Sequence, residues 1–336
     1  MENGVNATDF KADMKVVSIR EPGGPEVLEP SFRCIPAITP QEVLIKVAAA
    51  GVNGPDLMQR RGLYPSPPGA NDLPGLEVSG VVVACGADVG RWRPGDHVIA
   101  LTRGGGYAEF CAVDAAQCLP VPPGVSIEDA AGLPETYFTV WSNLFIEGGL
   151  AAGQTLLVHG GAGGIGTTAI QLAKAFGAYV IATDSPRARC QVCSDLGADV
   201  VIDYREEDYV EITRGLGGAD LILDIVGGPN IEKNFKAAKH GGRIVQIAFA
   251  AGSQVNINLM PVMLKRLTYT GSTLRTRPDG FKARVARELE EKVWPKFASG
   301  DLKAVTSCSF RLEDAARAHA VMEQAGHTGK VLLVMD

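Results

Sequence analysis

The chain has 336 residues, about two domains at the usual size of roughly 150 residues each, and carries a formal net charge of −6. An acidic chain has no general attraction for nucleic acid or an anionic membrane, and no apolar run reaches the roughly 20 residues that a membrane-spanning helix needs. Seven scattered cysteines, and a start (MENGVNATDFKAD) without the basic and apolar regions of a secretory leader, set the expectation of a cytoplasmic protein with free thiols.

In chain order, residues 1–13 read as a flexible extension, and Met14-Lys15-Val16-Val17 as the start of the first strand. Short strands follow at Val43 to Ala48, Val81 to Ala84, His97 to Leu101 and Tyr107 to Val113. Turn signals such as Pro94-Gly95-Asp96 and Pro122-Pro123-Gly124 separate them, which is the texture of a compact β-rich domain. Ser126-Ile-Glu-Asp129 is a capping box that opens a helix. Pro134 interrupts the helical pattern, and Tyr137 to Phe145 resumes it.

From about Gln154 the pattern changes to strands alternating with helices. Thr155 to His159 is a strand, Ile165 to Phe176 a helix ended by Gly177, Tyr179 to Thr183 a strand and Arg187 to Leu196 a helix. Val200 to Asp203, Leu221 to Ile225, Arg243 to Ile247 and Leu267 to Thr270 continue the strand series. Short apolar runs alternating with helices predict a parallel sheet with right-handed crossovers. The tail adds amphipathic helices over Phe281 to Phe297 and Leu312 to Gln324, then a closing strand from Lys330 to Met335. The division this implies is a β-rich domain over 1–136, an inserted α/β unit over 137–275, and a C-terminal segment over 276–336 that returns to the first domain.

The first strand of the α/β unit runs straight into Gly160-Gly161-Ala162-Gly163-Gly164-Ile165-Gly166 and a helix. Gly161, Gly163 and Gly166 satisfy G-x-G-x-x-G. Alone, that spacing marks many tight turns. Between a strand and a helix, inside further βα units, it is the dinucleotide-binding fingerprint of a Rossmann fold, because glycine admits the pyrophosphate to the backbone and the helix N–H groups meet its charge. Asp184, ending the second strand, is the residue type that binds the ribose 2′-OH of NADH. Arg187, Arg189 and the nearby Tyr204 are the types that bind the 2′-phosphate of NADPH. One charge at about 4 Å near a surface is worth roughly 4 kcal/mol, so two arginines outweigh one carboxylate only if all three meet the phosphate. The sequence leaves both cofactors open.

The loop HGGAGGIGTTAIQLAK, with Gly51 to Tyr64, Gly75-Leu-Glu-Val-Ser-Gly80, Pro94-Gly-Asp-His-Val98, Gly106-Tyr-Ala-Glu109 and Leu133-Pro-Glu-Thr-Tyr-Phe-Thr-Val-Trp141, resembles the zinc-free quinone oxidoreductases of the medium-chain dehydrogenase/reductase superfamily, in particular the zeta-crystallin-like NADPH:quinone reductase branch. The likeness runs in order from Met14 over nearly the whole chain. It implies a GroES-like domain plus a doubly wound Rossmann sheet, and a homodimer joined through edge strands. Zinc members carry a ligand Cys where this chain has Asn53 and a ligand His where it has Leu76. Only Cys111 and Cys118 fall in the region of their four-cysteine lobe, so neither zinc nor flavin is expected. Cys190-x-x-Cys193, on a predicted helix, reads as packing.

The resemblance further implies that Asn53 and Tyr64 line the substrate cleft and that Thr139 sits beside the nicotinamide ring. It implies Gly161, Ala162, Gly163, Gly164, Ile165, Gly166, Asp184, Ser185, Arg189, Tyr204 and Phe249 as cofactor contacts, with NADPH favoured by Arg189 and Tyr204. Asp184 departs from the branch, where a small neutral residue is usual, and keeps NADH in play. A quinone gains negative charge on oxygen as hydride arrives, and a phenol and an amide are suitable donors to it. Tyr64 and Asn53 are therefore the expected polarising pair. The structural alternative for Tyr64 is a loop aromatic, and for Asn53 a turn-stabilising side chain. Glu77 reads as a structural carboxylate and His159 as packing at the end of its strand. Three functions follow: quinone reduction, reduction of an activated C=C bond (enone, 2-enal or enoyl thioester), and a cofactor-binding protein with a structural or RNA-binding role, which the acidic charge disfavours.

Overall fold

The computed structural model describes residues 13–67, 69–324 and 326–335. Of the extension expected over residues 1–13, residues 1–12 lie outside them, and Asp13 belongs instead to the first strand. The chain divides into two units, one of Met1–Phe138 with Arg275–Asp336 and the other of Thr139–Leu274.

In the first unit β1 (Asp13–Ile19) and β2 (Leu28–Cys34) form an antiparallel pair. The main sheet takes β3 (Glu42–Val52), β4 (Glu77–Cys85), β5 (His97–Leu101), β6 (Phe110–Asp114) and β7 (Cys118–Pro120), with α1 (Gly54–Arg60) between β3 and β4. α2 (Ile127–Ala130) follows, then α3 (Pro134–Trp141), and the division between units falls inside α3. Alternating Val, Leu and Ile in β3 and β4 send one set of side chains inward, and Val43, Ile45, Val78 and Val82 are wholly buried. The expected strand over Tyr107 to Val113 is shorter, since Tyr107 and Glu109 instead bond to Val17 and Lys15 of β1. Ser126 caps α2 as expected, its Oγ accepting from Asp129 N at 3.0 Å, but the Asp129 carboxylate takes the Ser126 hydroxyl at 2.8 Å and not the backbone N–H that a full capping box uses.

The second unit contains β8 (Thr155–His159), α4 (Gly164–Ala175), β9 (Tyr179–Asp184), α5 (Arg187–Asp195), β10 (Val200–Asp203), α6 (Tyr209–Gly215), β11 (Ala219–Asp224), α7 (Asn230–Ala237), β12 (Ala238–Gln246), α8 (Met260–Lys265) and β13 (Thr268–Gly271). Its six parallel strands run in the order β10-β9-β8-β11-β12-β13, the doubly wound arrangement of a Rossmann sheet. Leu157, Ile181 and Ile222, on the three central strands, are fully buried, as a sheet covered on both faces demands. Gly177 closes α4 at φ +81°, the left-handed conformation that favours glycine.

The tail belongs to the first unit. The helix expected over Phe281 to Phe297 is two helices, α9 (Asp279–Lys292) and α10 (Trp294–Ala298). The cause is Pro295, which has no N–H to continue the ladder and sits instead in the first turn of α10. β14 (Thr306–Arg311), α11 (Ala315–Glu323) and β15 (Lys330–Val334) complete the unit. β15 pairs with β3 and carries β14 parallel to it at the sheet edge. α11 is fastened by buried His319, whose Nε2 lies 2.9 Å from Tyr107 Oη and whose Nδ1 lies 3.2 Å from a guanidinium nitrogen of Arg60. Arg60 in turn pairs with Glu323.

Candidate functional site

The two units carry different chemistry. In the second, β8 delivers the chain to Gly160, at φ +70°, and the glycine loop turns into α4. A Cβ on Gly161 would lie 2.6 Å from Cys193 Sγ, and one on Gly166 would lie 2.2 Å from Gly160 O and 2.5 Å from Gly161 Cα. Gly166 admits no side chain because helix and loop pack there backbone to backbone, and at Gly161 the side chains of Cys193, Ala182 and Ile170 fill the space. A Cβ on Gly163 meets only Gly160 O at 3.5 Å. The N–H groups of Gly160 to Gly163 are spent within the protein, on Thr183 O, Asp184 and Gly160 O, so it is the first turn of the twelve-residue α4 that can turn backbone N–H groups to an anion such as a pyrophosphate.

Asp184 is buried at the end of β9 and its carboxylate is fully engaged by the protein. It accepts from Ala162 N at 2.8 Å, from Ser185 N at 2.7 Å, and from Arg189 at 2.7 Å (Nε) and 3.2 Å (a terminal nitrogen). The residue that could have opposed NADPH is therefore tied to the glycine loop and neutralised by one of the residues that could favour it. Arg187 is exposed, Ser185 buried, and the Tyr204 ring half exposed beside them. Phe249 is also well exposed, on the segment after β12, and packs against Gly227. Thr139 is half-buried, and its carbonyl accepts from Asn143 Nδ2 at 2.8 Å. From Ser142 to Glu147 the helix widens to a π-helical turn, a feature frequent at functional sites.

His159 is buried and saturated. Its Nδ1 lies 2.8 Å from Thr183 Oγ1, and its Nε2 lies 2.8 Å from Asn234 Oδ1, which also accepts from Tyr209 Oη at 3.1 Å. Asn234 Nδ2 donates to Asp224 at 2.9 Å, and Asp224 caps Val226 and Gly227 through their N–H groups. Burial lowers the imidazole pKa, so a neutral ring joins β8, β9, β11 and α7. Cys190 and Cys193 are inert: burial raises both thiols, that of Cys193 to about 12.

In the first unit, four segments meet at Glu77, which is completely buried at the start of β4. Its carboxylate accepts from Asn53 Nδ2 at 2.8 Å, from Glu135 N at 2.8 Å and from Lys330 Nζ at 2.7 Å. Lys330 also donates to Asn53 Oδ1 at 2.5 Å and to Val52 O at 3.2 Å. Asn53 precedes α1, and its N–H donates to Asp56 at 2.9 Å. The amide of Asn53 thus spends one hydrogen on Glu77 and points the other at Gly51 O, at 3.4 Å. Asp56, buried and held by Gly75 N and Asn53 N, has its pKa raised by burial to about 6. Glu135, in the first turn of α3, is pushed up to about 8 by burial and by the neighbouring Glu77.

Tyr64 lies on the loop after α1, half-buried, with the Arg275 guanidinium 5.5 Å from its ring centre. Burial raises the phenol, Glu135 adds to this and Arg275 opposes it. Sequence reasoning named Asn53, Tyr64 and Glu77 but missed Lys330, Glu135, Asp56 and Arg275. A lone Lys at the start of the closing strand, or an Arg in STLRTRPD, carries no local signal, because its partners are far away in the chain. Among the described residues no group of three or more His, Cys, Asp or Glu is placed to hold a metal. At the two zinc-ligand positions stand Asn53, turned to Glu77 and Lys330, and the buried Leu76. With the Lys330 ammonium against the Glu77 carboxylate, and an amide and a leucine where ligands would stand, these residues do not fit a zinc ion.

Comparison with known proteins agrees with this architecture. The alcohol dehydrogenase GroES-like domain family matches residues 39–123, and the zinc-binding dehydrogenase family matches residues 164–291. The chain belongs to the medium-chain dehydrogenase/reductase superfamily of oxidoreductases. Quinone oxidoreductase of Mus musculus is 31% identical over 333 residues, covering 96% of this chain and 98% of that protein. A mycobacterial protein solved in complex with NADPH superposes with a TM-score of 0.85 at 31% identity, covering 96% of this chain and 99% of that one. The CurK enoyl reductase superposes with a TM-score of 0.82 at 28% identity, again over 96% of this chain and 99% of that one. Among the described residues no helix is long and apolar enough to cross a membrane.

The raised carboxyl of Glu135 gives a stability test. Its pKa is about 8 when folded and about 4.3 in an unfolded chain, so the native state holds the proton more tightly. The stabilisation is fully present below pH ~4.3 and is lost as pH rises through about 8. Urea unfolding at pH 5, 7 and 9 should show stability falling with pH in the wild type and a flatter profile in Glu135→Gln. Parallel profiles would mean that Glu135 is ionised throughout.

Proposed function

We propose that the chain is a metal-independent NAD(P)H:quinone oxidoreductase that prefers NADPH, acts as a homodimer and resides in the cytoplasm. What carries the reading is the end-to-end likeness to a quinone oxidoreductase, in a chain whose glycine loop has no room for side chains at Gly161 and Gly166. The loop from Gly161 through Ala162, Gly163, Gly164 and Ile165 to Gly166 would hold the pyrophosphate. Ser185, Arg189 and Tyr204 would hold the 2′-phosphate, and Thr139 and Phe249 the nicotinamide end. Asp184 would act from beneath, fixing the loop and the Arg189 fork. When bound, the cofactor supplies a hydride from nicotinamide C4.

The first unit supplies the response to that hydride. Negative charge develops on the acceptor's carbonyl oxygen, and a pre-placed donor stabilises it without a metal. Tyr64, whose pKa is raised by burial, keeps its proton at neutral pH, donates a hydrogen bond to that oxygen and then supplies the proton. Asn53 contributes through the amide hydrogen that Gly51 O holds only at 3.4 Å, while Glu77 and Lys330 keep the amide plane fixed. Seven free cysteines suit a reducing compartment. Beside β13, which is the unpaired edge of its sheet, Leu259, Met260, Met263, Leu264 and Tyr269 are exposed. An open edge flanked by apolar side chains suits pairing with a second copy.

A second reading, reduction of an activated C=C bond, draws support from the likeness to an enoyl reductase. The same donors would serve an enone oxygen while hydride goes to the β-carbon. Turnover of NADPH and NADH with 1,4-benzoquinone, 9,10-phenanthrenequinone and a simple enone separates the two, and enone turnover alone would overturn the first.

Three substitutions test the parts. Tyr64→Phe should lower quinone kcat about 100-fold, as loss of one pre-organised donor does, with NADPH affinity retained. Unchanged turnover would remove the role of Tyr64. Arg189→Gln should reduce the ratio of kcat/KM for NADPH over NADH by about tenfold or more, the worth of one charged hydrogen bond. A constant ratio would leave the 2′-phosphate to other residues. Leu264→Glu should shift the mass measured by light scattering from dimer to monomer, and a monomeric wild type would refute the assembly.

A further inference from the structure

We propose that Arg275 is a positioning residue for Tyr64, a buried guanidinium that clamps the tyrosine's loop and ring so that the phenol meets the acceptor oxygen. This rests on the reading of Tyr64 as the donor to that oxygen. Tyr64 lies outside any helix or strand, so nothing in its own backbone fixes where the hydroxyl points. Arg275 supplies the missing constraint from the far side of the chain. One terminal nitrogen donates to Gln59 Oε1, on α1 just before the loop, at 3.0 Å. The other donates to Ser66 Oγ, two residues after Tyr64, at 3.0 Å, and to Arg103 O, on the turn after β5, at 2.8 Å. The guanidinium carbon stands 5.5 Å from the Tyr64 ring centre, within the range of an attractive cation–π contact.

The clamp is itself held. Gln59 Nε2 donates to Asp72 O at 2.9 Å, which fixes the amide that Arg275 grips. Lys282 Nζ donates to Arg275 O at 3.0 Å, which fixes its backbone. Arg275 is only 7% exposed, and its Nε–H has no acceptor among the described residues. A buried N–H without a partner opposes folding, so stability alone does not account for an arginine here. Lysine has the charge but not the planar fork, and cannot reach the three acceptors and the ring together. The charged groups that face the phenol are Glu135 and Arg275, acting in opposite directions on its acidity. Loss of the guanidinium therefore also shifts the phenol further upward.

The test is a double-mutant cycle between Arg275→Lys and Tyr64→Phe, read as kcat and KM for 1,4-benzoquinone with NADPH. NADPH binding by fluorescence and the unfolding midpoint serve as controls. Arg275→Lys should lower kcat on the order of ten- to a hundredfold, the effect of misplacing a reacting group by about an ångström, with NADPH affinity unchanged. In the Tyr64→Phe background the same change should cost no more than about twofold, the scatter expected of independent sites. Equal losses in both backgrounds, or no loss in the wild type, would overturn the proposal. Unchanged turnover in Tyr64→Phe alone would instead refute the donor role on which it rests, and the proposal with it. Should Arg275→Lys fail to fold, Ser66→Ala releases one end of the clamp and should give a smaller loss of kcat that is likewise suppressed by Tyr64→Phe. A Ser66→Ala loss that Tyr64→Phe does not suppress would overturn the clamp.

Discussion

The first unit is organised around one buried carboxylate. Glu77 is out of contact with water and draws three donors from three parts of the chain: the Asn53 amide before α1, the Glu135 N–H in the first turn of α3, and the Lys330 ammonium on the closing strand. A buried charge left unpaired is expensive, whereas one with complete partners defines a geometry. Gly51 is part of the same constraint, since a Cβ there would lie 1.9 Å from Glu77 Oε1. The carboxylate therefore dictates a glycine in β3, an amide at the start of α1 and a lysine 277 positions later in the chain. The Asn53 amide is held in place by interactions within the protein itself.

The second unit uses the same device for another end. Asp184 joins the glycine loop, Ser185 and Arg189, while His159 and Asn234 connect the ends of β8, β9 and β11 to α7. Each polar group in these networks finds a partner, so the polar residues at the strand ends fix the loops without disturbing the apolar sheet beneath. Asp184 shows how a residue's type misleads when its surroundings are unknown. An acidic side chain at that position reads as a ribose ligand or a barrier to phosphate, yet here its oxygens are consumed by the loop it braces and by the arginine it would have opposed.

Much of the fold was legible in the sequence. Thr155–His159, Val200–Asp203 and His97–Leu101 form strands where apolar runs and turn residues placed them, because strand period and glycine or proline breaks are local properties. The glycine spacing that marked the turn from β8 into α4 is local for the same reason. The elements that escaped notice were those whose stability comes from elsewhere. β14 has polar residues and lies at a sheet edge against β15, and α7 and α8 are only eight and six residues long. The split between α9 and α10 was legible in Pro295 and was passed over because the amphipathic pattern continues across it.

What the sequence determined by itself was the parallel sheet, the glycine turn, the amphipathic helices of the tail, and the residue types able to donate to an acceptor or meet a phosphate. These depend on neighbours within about one helical turn or one strand, and such information is written consecutively. What only the tertiary structure decided was how those groups are held. Lys330 against Asn53 and Glu77, Arg275 against Tyr64, Gln59 and Ser66, and Asp184 against Ala162 are contacts between residues tens to hundreds of positions apart. A single sequence records which groups are present. Whether a charge is exposed, paired or shielded depends on distance in space, and chain closure sets that distance.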